Sequence, residues 1–449
     1  MTTLGLYHQY CLKTVFEFVE TRREPPSGRH AGKPRAGAPK LVYKQGVIAT
    51  GCKLGEKGVY FWFFRVTQMS PGKHLISLLS AIEDPRVVGR TWHKLIDVLS
   101  IALFSVLAGA QGWDEMEEWG IANEARLRQY LELPHGIPGH DTIRRIFEVL
   151  DPKQLDACLL SWVGQVCPDL HSVIAIDGKS VRGSGSSAKG VRALHSVTAY
   201  ASLSGLVLAQ QRCEEKSNEI TAIEALLPAL SLKGSLVTID AIGTQVAIAQ
   251  EITERGGDYL LVAKDNQPSL AQAVEDYMRI GKAHDWAHMN PSIFETLDKG
   301  HGRLETRHCV AVAAPDYLSE LHRWPKLKSL VRIERTRDIA GQVSLQTQYL
   351  ISSAAPDAKY LLEASRMHWA IENGLHHCLD VTFREDASTV RLRNATANFA
   401  TLRRITLNLL RMRPESGKKK RSMAARRKVA GWNPDYLFEL LQLTPLPRI

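Results

Sequence analysis

The chain has 449 residues, of which 44% are hydrophobic and 23% are charged. This composition excludes a fibrous or wholly disordered protein, and the length allows two or three domains. Lys and Arg outnumber Asp and Glu by ten, 57 against 47, which suits a polyanionic partner such as nucleic acid. Many basic proteins bind no nucleic acid, so the charge alone does not decide the function.

Seven cysteines are scattered along the chain without a C-x-x-C pair. This pattern is typical of a reduced protein and not of a disulfide framework or a zinc ribbon. The longest uncharged apolar stretch, residues 98–110, is too short to span a bilayer, which needs about 18 residues. The first residues also lack the pattern of a signal peptide. We therefore expect a cytoplasmic protein with no membrane partner.

Residues 1–68 differ in pattern from the rest of the chain. Residues 23–40 are rich in Pro, Gly, Ala and positive charge, which is linker composition. We predict that 1–68 is poorly ordered or a non-native extension, with Met69 as a natural start.

Residues 69–168 are predicted to form an all-helical N-terminal domain. Apolar residues recur at helical spacing, and a Pro-Gly turn precedes a helix that Asp141 or Thr142 could cap. Arg144 and Arg145 lie on that helix. Two interpretations stay open: a domain that reads DNA ends in the manner of a helix-turn-helix, or a packing or oligomerisation domain.

Residues 169–413 are predicted to be α/β. Short apolar runs predict strands at 173–176, 195–202, 206–210, 236–239 and 259–263. Longer periodic segments predict helices at 220–230, 245–255, 360–377 and 395–413. This order favours an RNase H-like core, a mixed sheet flanked by helices. Alternating polarity predicts an inserted β-rich segment at about 290–353. Residues 414–449 are predicted to be a basic C-terminal tail with a short helix.

Three acids are candidates for one site. Asp177 and Asp240 each close an apolar strand, and side chains converge beyond strand ends in α/β sheets. Glu372 lies on the helix 360–377 amid apolar and aromatic residues, with Trp369 and Leu362 predicted to pack that helix on the sheet. A cation between the acids would relieve their repulsion, and hard oxygen ligands suit Mg²⁺ or Mn²⁺. A zinc site at His368, Glu372 and His376 is a rival with the same helical spacing.

Longer motifs surround these acids: residues 176–183 (IDGKSVRG), 216–220 (KSNEI), 238–245 (TIDAIGTQ), 259–267 (YLLVAKDNQ), and 368–373 (HWAIEN) with 379–386 (LDVTFRED). Over roughly 70–440 the chain resembles the DDE transposases of bacterial insertion sequences, closely the H-repeat-associated or ISAs-type subgroup. The resemblance implies a catalytic triad of Asp177, Asp240 and Glu372. It further implies two Mg²⁺ or Mn²⁺ ions held by these acids, and cleavage at transposon ends followed by strand transfer into target DNA.

The chain departs from the family pattern at a few positions. Thr244 stands where Cys is usual, Asp265 where Gly is usual, and residues 377–378 (HC) where a Trp is usual. None of these changes removes one of the three acids. Glu372 is preceded by His368 where the wider superfamily often has Arg.

Further residues are predicted to contact DNA: Lys179, Arg182, Lys264, Asn266, Gln267 and His368. The alternatives are a solvated loop charge for the first two and an Asn-containing turn for the residues near 266. The partner implied is double-stranded DNA, bound by a homodimer because two element ends are joined. Two other functions stay open: a host nuclease on the same fold, and a DNA-binding remnant that has lost activity.

Overall fold

The computed structural model describes residues 48–55, 58–64, 71–87, 89, 91–168, 172–214, 218–300, 302–318, 323–413 and 421–441, the first two ranges as backbone only. The chain divides into two compact units, Met1–Ser70 and Pro71–Ile449. In the first unit, strand β1 (Ile48–Gly55) pairs antiparallel with β2 (Gly58–Phe64). The prediction of a poorly ordered or non-native extension at 1–68 falls largely outside the described residues.

The second unit begins with helices, as the apolar spacing predicts. Their bounds are α1 Pro71–Ser80, α2 Leu95–Ala108, α3 Trp113–Leu127, α4 His140–Val149 and α5 Pro152–Val166. Helix α2 is apolar almost all round because neighbouring elements cover it on every side. Its buried Asp97 accepts a hydrogen bond from the Leu133 amide. No helix among the described residues is by itself long and apolar enough to span a membrane, although α2 and α3 together, bent by 96°, meet the length and composition criteria.

One mixed sheet follows the helices. Its first five strands are β3 Val173–Val181, β4 Leu194–Ala201, β5 Leu206–Arg212, β6 Leu236–Ile239 and β7 Asp258–Ala263. Three helices connect or follow them: α6 Glu219–Leu226, α7 Val246–Glu254 and α8 Pro268–Ala283. Strand β3 pairs antiparallel with β4 and parallel with β6, which is itself parallel to β7. All five strands begin at or within one residue of their predicted starts, but β3 continues past its predicted end, and α8 was not predicted.

The predicted β-rich segment consists of four long strands. They are β8 Ser292–Gly300, β9 Arg303–Ala313, β10 Ser329–Ile339 and β11 Gln342–Ser352. They do not form a separate layer, because β11 pairs antiparallel with β7 and extends the same sheet. The strand order among the described residues is β5-β4-β3-β6-β7-β11-β10-β9-β8.

The last elements close the core. They are α9 Ala358–His368, a π-helical turn Ile371–His376, α10 His377–Val381, α11 Ala395–Met412, α12 Met423–Trp432 and α13 Pro434–Leu441. Helix α11 is almost entirely buried, and its Asn398 donates hydrogen bonds to the Phe147 and Leu150 carbonyls. Its Asn408 donates to the Val207 carbonyl of β5, so α11 joins the helical segment to the sheet.

The C-terminal basic run is not a solvated tail at every position. Arg427 on α12 is buried, and its guanidinium donates to the carbonyls of Val106 and Ala110 at the end of α2 and to that of Thr382. A cation at a helix C-terminus is favourable because the last carbonyls there have no helical partners. The prediction of a basic tail is therefore wrong for Arg427, which is a structural residue.

Candidate active site

The first predicted acid, Asp177, lies inside β3 and not at its end. The parallel pairing of β3 with β6 stops at Ile176 opposite Ile239, but β3 continues along β4, where Asp177 lies opposite Thr198. The prediction that the strand ends at Asp177 is therefore wrong. Asp177 nevertheless lies directly after the point where β3 and β6 cease to pair. Side chains can converge there in the same way as beyond the end of a strand.

The second acid, Asp240, follows β6 directly and faces the same side of the sheet. Side chains alternate along strands, so Asp177 shares a face with Val173, and Asp240 shares a face with Leu236. Val173 and Leu236 are paired in register and pack with helix α9 in one apolar cluster. Both aspartates therefore lie on the side of the sheet that α9 crosses.

The third acid, Glu372, lies in the π-helical turn that follows α9. The prediction of one regular helix over 360–377 is wrong, because the turn Ile371–His376 is wider than an α-helical turn. Ile371 and Leu375 are buried, whereas Glu372 is exposed and Trp369 is 50% exposed. The prediction that Trp369 packs this segment on the sheet is therefore wrong. The same prediction for Leu362, on α9, is confirmed.

The charges of these acids act on one another. Burial raises the pKa of Asp177 to about 7, and the charges of Asp240, Glu372 and Glu219 contribute in the same direction. The hydrogen bond that its Oδ1 accepts from the Gly178 amide acts in the opposite direction and lowers the pKa. Burial and the charge of Glu219 also raise the pKa of Asp240. The carboxylates thus gather near one another from separate elements, at an electrostatic cost.

The acids do not stand at ligand distances from a common point. Within the described residues, no three acidic, histidine or cysteine side chains are placed so that they could hold one metal ion. Their chemistry does fit a hard divalent cation, because carboxylate oxygens are the ligands it prefers and its charge would relieve their repulsion. The rival zinc site at His368, Glu372 and His376 is likewise not formed.

Glu219 is a fourth carboxylate at this site, and sequence reasoning gave it no role. It opens helix α6, which Asn218 caps, and its Oε1 accepts a hydrogen bond from His195 Nε2 at 2.7 Å. A β-carbon built on Gly178 would lie 2.4 Å from Glu219 Oε1, so the glycine beside Asp177 leaves room for this carboxylate. The motif at 216–220 was the signal that pointed to it.

His376 is the side chain that faces Asp177. Its Nδ1 lies 3.6 Å from Asp177 Oδ2. Burial lowers the pKa of His376 to about 3, and the charges of Arg404 and Lys179 add to this, so the imidazole is neutral. Sequence reasoning considered His376 only for the zinc site.

Two residues predicted to hold phosphates differ in their surroundings. Lys179 is buried, and its Nζ binds Asp380 at 2.7 Å and Asp386 at 3.5 Å. It is therefore a structural ion-pair partner and neither a phosphate ligand nor a solvated loop charge. Arg182 is 86% exposed at its side chain and lies 3.4 Å from Asp386, so a DNA contact there stays a prediction.

The residues after β7 hold the loop that follows Asp240. Asn266 Nδ2 donates to the Ala241 carbonyl at 2.5 Å, and Gln267 Nε2 donates to the Thr244 carbonyl at 3.1 Å. Their side chains position this loop, while Asn266 is exposed, so a DNA contact by Asn266 or Gln267 stays a prediction. Lys264 is exposed and stays a predicted contact.

The remaining unusual positions are accommodated by the fold. His368 Nδ1 lies 3.1 Å from the Thr238 hydroxyl, and burial lowers the pKa of His368 to about 4. It ties α9 to β6 and is not a DNA-contacting cation. The Thr244 hydroxyl donates to the Val262 carbonyl at 2.8 Å, and Cys378 packs in the core. Asp265 is exposed.

Residues 168–409 match the family described as Transposase DDE domain, which is more than half of the chain. Residues 76–163 match the family described as DDE_Tnp_1-associated. The chain belongs to the DDE transposase family. Its named relatives place it in the H-repeat-associated type.

Two relatives cover most of the chain. "Putative transposase YncI" of Escherichia coli O157:H7 is 36% identical over 373 residues, covering 82% of this chain and 94% of the relative. "H repeat-associated putative transposase YhhI" of Escherichia coli (strain K12) is 36% identical over 348 residues, covering 75% of this chain and 90% of the relative. Among solved structures, a piggyBac transposase synaptic complex with hairpin DNA covers 83% of this chain and 80% of its own, with a TM-score of 0.38 and 9% identity.

Proposed function

We propose that the chain is a transposase that cuts DNA at the ends of a mobile element and joins them to target DNA. Asp177, Asp240 and Glu372 are the proposed catalytic residues and the ligands of two Mg²⁺ or Mn²⁺ ions. The observation that carries the proposal is the gathering of carboxylates from separate elements, where burial, together with repulsion by the neighbouring carboxylates, raises the pKa of Asp177 to about 7. Membership of the DDE family, which in general uses divalent metals, supports it.

We further propose that the core is RNase H-like. The order β5-β4-β3-β6-β7, with three antiparallel strands followed by two strands parallel to β3, supports this assignment. Strands β8 to β11 lie between the second and third proposed acids in sequence, and they account for the long spacing between them. The helices between residues 71 and 166 would then form the N-terminal domain.

The proposed chemistry needs a charge-neutralised phosphate and an activated oxygen nucleophile. Two divalent ions, when bound, supply both effects for water or a DNA 3′-hydroxyl. Asp177 would hold an ion from a fixed position, because its backbone is paired with β4 and its Oδ1 accepts from the Gly178 amide. The π-helical turn presents Glu372 at the surface, so this turn would have to move for Glu372 to bind an ion together with the aspartates.

Binding of double-stranded DNA is proposed on charge and position. The chain carries a net charge of +10, and Arg182 and Lys264 are exposed in segments that follow β3 and β7. Joining two element ends requires two active sites, so we propose that a homodimer forms on DNA.

The test uses labelled element ends, target DNA and Mg²⁺. Asp240→Asn is expected to abolish cleavage and leave DNA binding intact, because it removes a metal ligand and little volume. Asp276→Asn on α8, which removes the charge of an acid that is 42% exposed at its side chain, is the matched control and is expected to cut normally. Undiminished cleavage by Asp240→Asn would refute the assignment, and cleavage without joining would identify a nuclease.

A second candidate is a DNA-binding remnant without cleavage. The outward position of Glu372 favours it, because a site that never closes cannot hold both ions. Binding of element ends with no cutting by the unaltered protein, in Mg²⁺ and in Mn²⁺, would establish this alternative.

A further inference from the structure

A cavity of about 580 Å³ lies between the helical segment and the loop that precedes α11. One wall is formed by the start of α3 and by α4, and the opposite wall by residues 384–395 and α11. Of its lining side chains, five are basic and two are acidic. The acidic ones are Asp114, which is exposed, and Glu148, whose side chain is 12% exposed and already neutralised by Arg144 at 2.5 Å.

Arg403 is a buried cation that lines this cavity. It is 2% exposed, its guanidinium carbon lies 3.9 Å above the Phe399 ring, and its buried Nη2 has no hydrogen-bond partner in the described structure. Burial lowers the pKa of Arg403 to about 10, which leaves it charged at neutral pH. Burying a charged nitrogen without a hydrogen-bond partner costs free energy, and a bound anion would offset this cost.

The surrounding acids do not fully compensate this charge. Arg404, the next residue on α11, binds Glu385 at 2.9 Å, and both of these side chains are fully buried. The charge of Glu385 also acts on Arg403, so this single carboxylate compensates two neighbouring guanidiniums and leaves one positive charge in excess. Asp156, whose charge also reaches Arg404, takes its hydrogen bonds from Gln210 and Thr401.

Further cations stand at the opening of the cavity. Lys189 and Arg384 are exposed, and neither side chain forms a hydrogen bond or ion pair with the described residues. Arg384 has a positive φ of 51°, a backbone conformation that costs energy for a residue with a side chain. Arg391 Nε donates to the Gly183 carbonyl at 2.9 Å, which connects this wall to the segment directly after β3.

We propose that this cavity binds a phosphate group, and that in the working protein the phosphate belongs to the DNA backbone. Guanidinium groups match phosphate in charge and in bidentate geometry, and an anion here would compensate Arg403. DNA is chosen as the source because the cavity adjoins the segment that follows the strand of Asp177. That choice rests on the proposed function, whereas the anion site itself does not.

The first test measures DNA binding against salt concentration in an Asp240→Asn background, so that cleavage plays no part. Arg384→Gln and Lys189→Gln are each expected to weaken binding and to reduce the slope of log K against log salt by about 0.9. Arg279→Gln on α8 removes an exposed arginine outside the cavity and is expected to change neither quantity. Slopes for Arg384→Gln and Lys189→Gln equal to that of Arg279→Gln would overturn DNA as the ligand.

The second test measures thermal unfolding with inorganic phosphate and with a mononucleotide. Without anion, Arg403→Met is expected to melt at a higher temperature than the parent, because it removes a buried unpaired charge. Phosphate is expected to raise the Tm of the parent and not that of Arg403→Met. If Arg403→Met does not fold, Arg384→Gln takes its place, with a smaller rise in Tm expected.

The two tests together separate the failures. A phosphate response with unchanged DNA slopes would mean that a free phosphate compound occupies the cavity, and this would overturn the DNA source. An absent phosphate response and unchanged slopes would overturn the anion site. If the protein binds no DNA at all, the proposed function fails, while the response to phosphate still decides whether the cavity binds anions.

Discussion

The clearest consequence of the carboxylate site concerns the stability of the metal-free protein. Asp177 is 19% exposed at its side chain and has a pKa of about 7, raised from 3.8 by burial and by neighbouring carboxylates. An unfolded chain loses this proton near pH 4, but the folded protein keeps it up to about pH 7. Stability therefore falls as pH rises between these values and stays low above them.

The magnitude follows from the two pKa values. The difference between 3.8 and about 7 corresponds to about 4 kcal/mol of destabilisation at pH 8. Asp177→Asn removes the ionisation while its side-chain oxygen still accepts from the Gly178 amide. The variant is therefore expected to be more stable than the unaltered protein in EDTA at pH 8, with a Tm higher by roughly 5 °C for a protein of this size.

The assay is thermal and urea unfolding of both proteins between pH 4 and pH 8, with EDTA or with Mn²⁺. The advantage of Asp177→Asn is expected to vanish near pH 4 and to grow up to about pH 7. Mn²⁺ is expected to stabilise the unaltered protein and not the variant, because the site has lost a ligand. Equal stability of the two proteins at pH 8 in EDTA would refute the reasoning, as would equal stabilisation of both by Mn²⁺.

Three other substitutions test the surroundings of the site. Glu385→Gln leaves the charge of Arg404 buried without its partner, so urea unfolding is expected to show a loss of about 3–5 kcal/mol, and a loss near zero would contradict the pairing. Gly178→Ala is expected to displace Glu219 and to slow cleavage roughly tenfold or more with an unchanged circular dichroism spectrum; unaltered rates would remove Glu219 from the site. Trp369→Ala is expected to leave the Tm unchanged because Trp369 is half exposed, and a large drop would restore it as a packing residue.

The central strands β6 and β7 were predictable because they are short and largely buried runs with clear boundaries. The strand predicted at 236–239 is Leu236–Ile239 in the structure. The end of β3 was not predictable, since the strand continues through polar residues only because β4 pairs with it. Helix α8 carried a signal that was missed: Leu270, Val274 and Met278 recur every four residues and are all buried.

The details of the site depend on contacts that the sequence does not express. Lys179 pairs with Asp380, 201 residues away, so its local pattern is that of an ordinary loop cation. The π-helical turn at Glu372 keeps the apolar residues of a regular helix, and periodicity alone cannot distinguish the two. Arg427 lies in a charged run whose sequence pattern is that of a solvated segment. Its hydrogen-bond acceptor on α2 is 321 residues away and cannot be recognised from that pattern.

The central claim is that Asp177, Asp240 and Glu372 hold divalent cations together. Anomalous diffraction at the manganese edge, from crystals of the protein with Mn²⁺ and element-end DNA, tests it most directly. The account predicts manganese peaks bound by both aspartates, with the π-helical turn moved so that Glu372 is a ligand. Peaks at other residues, or a Glu372 that still points into solvent beside bound manganese, would contradict it.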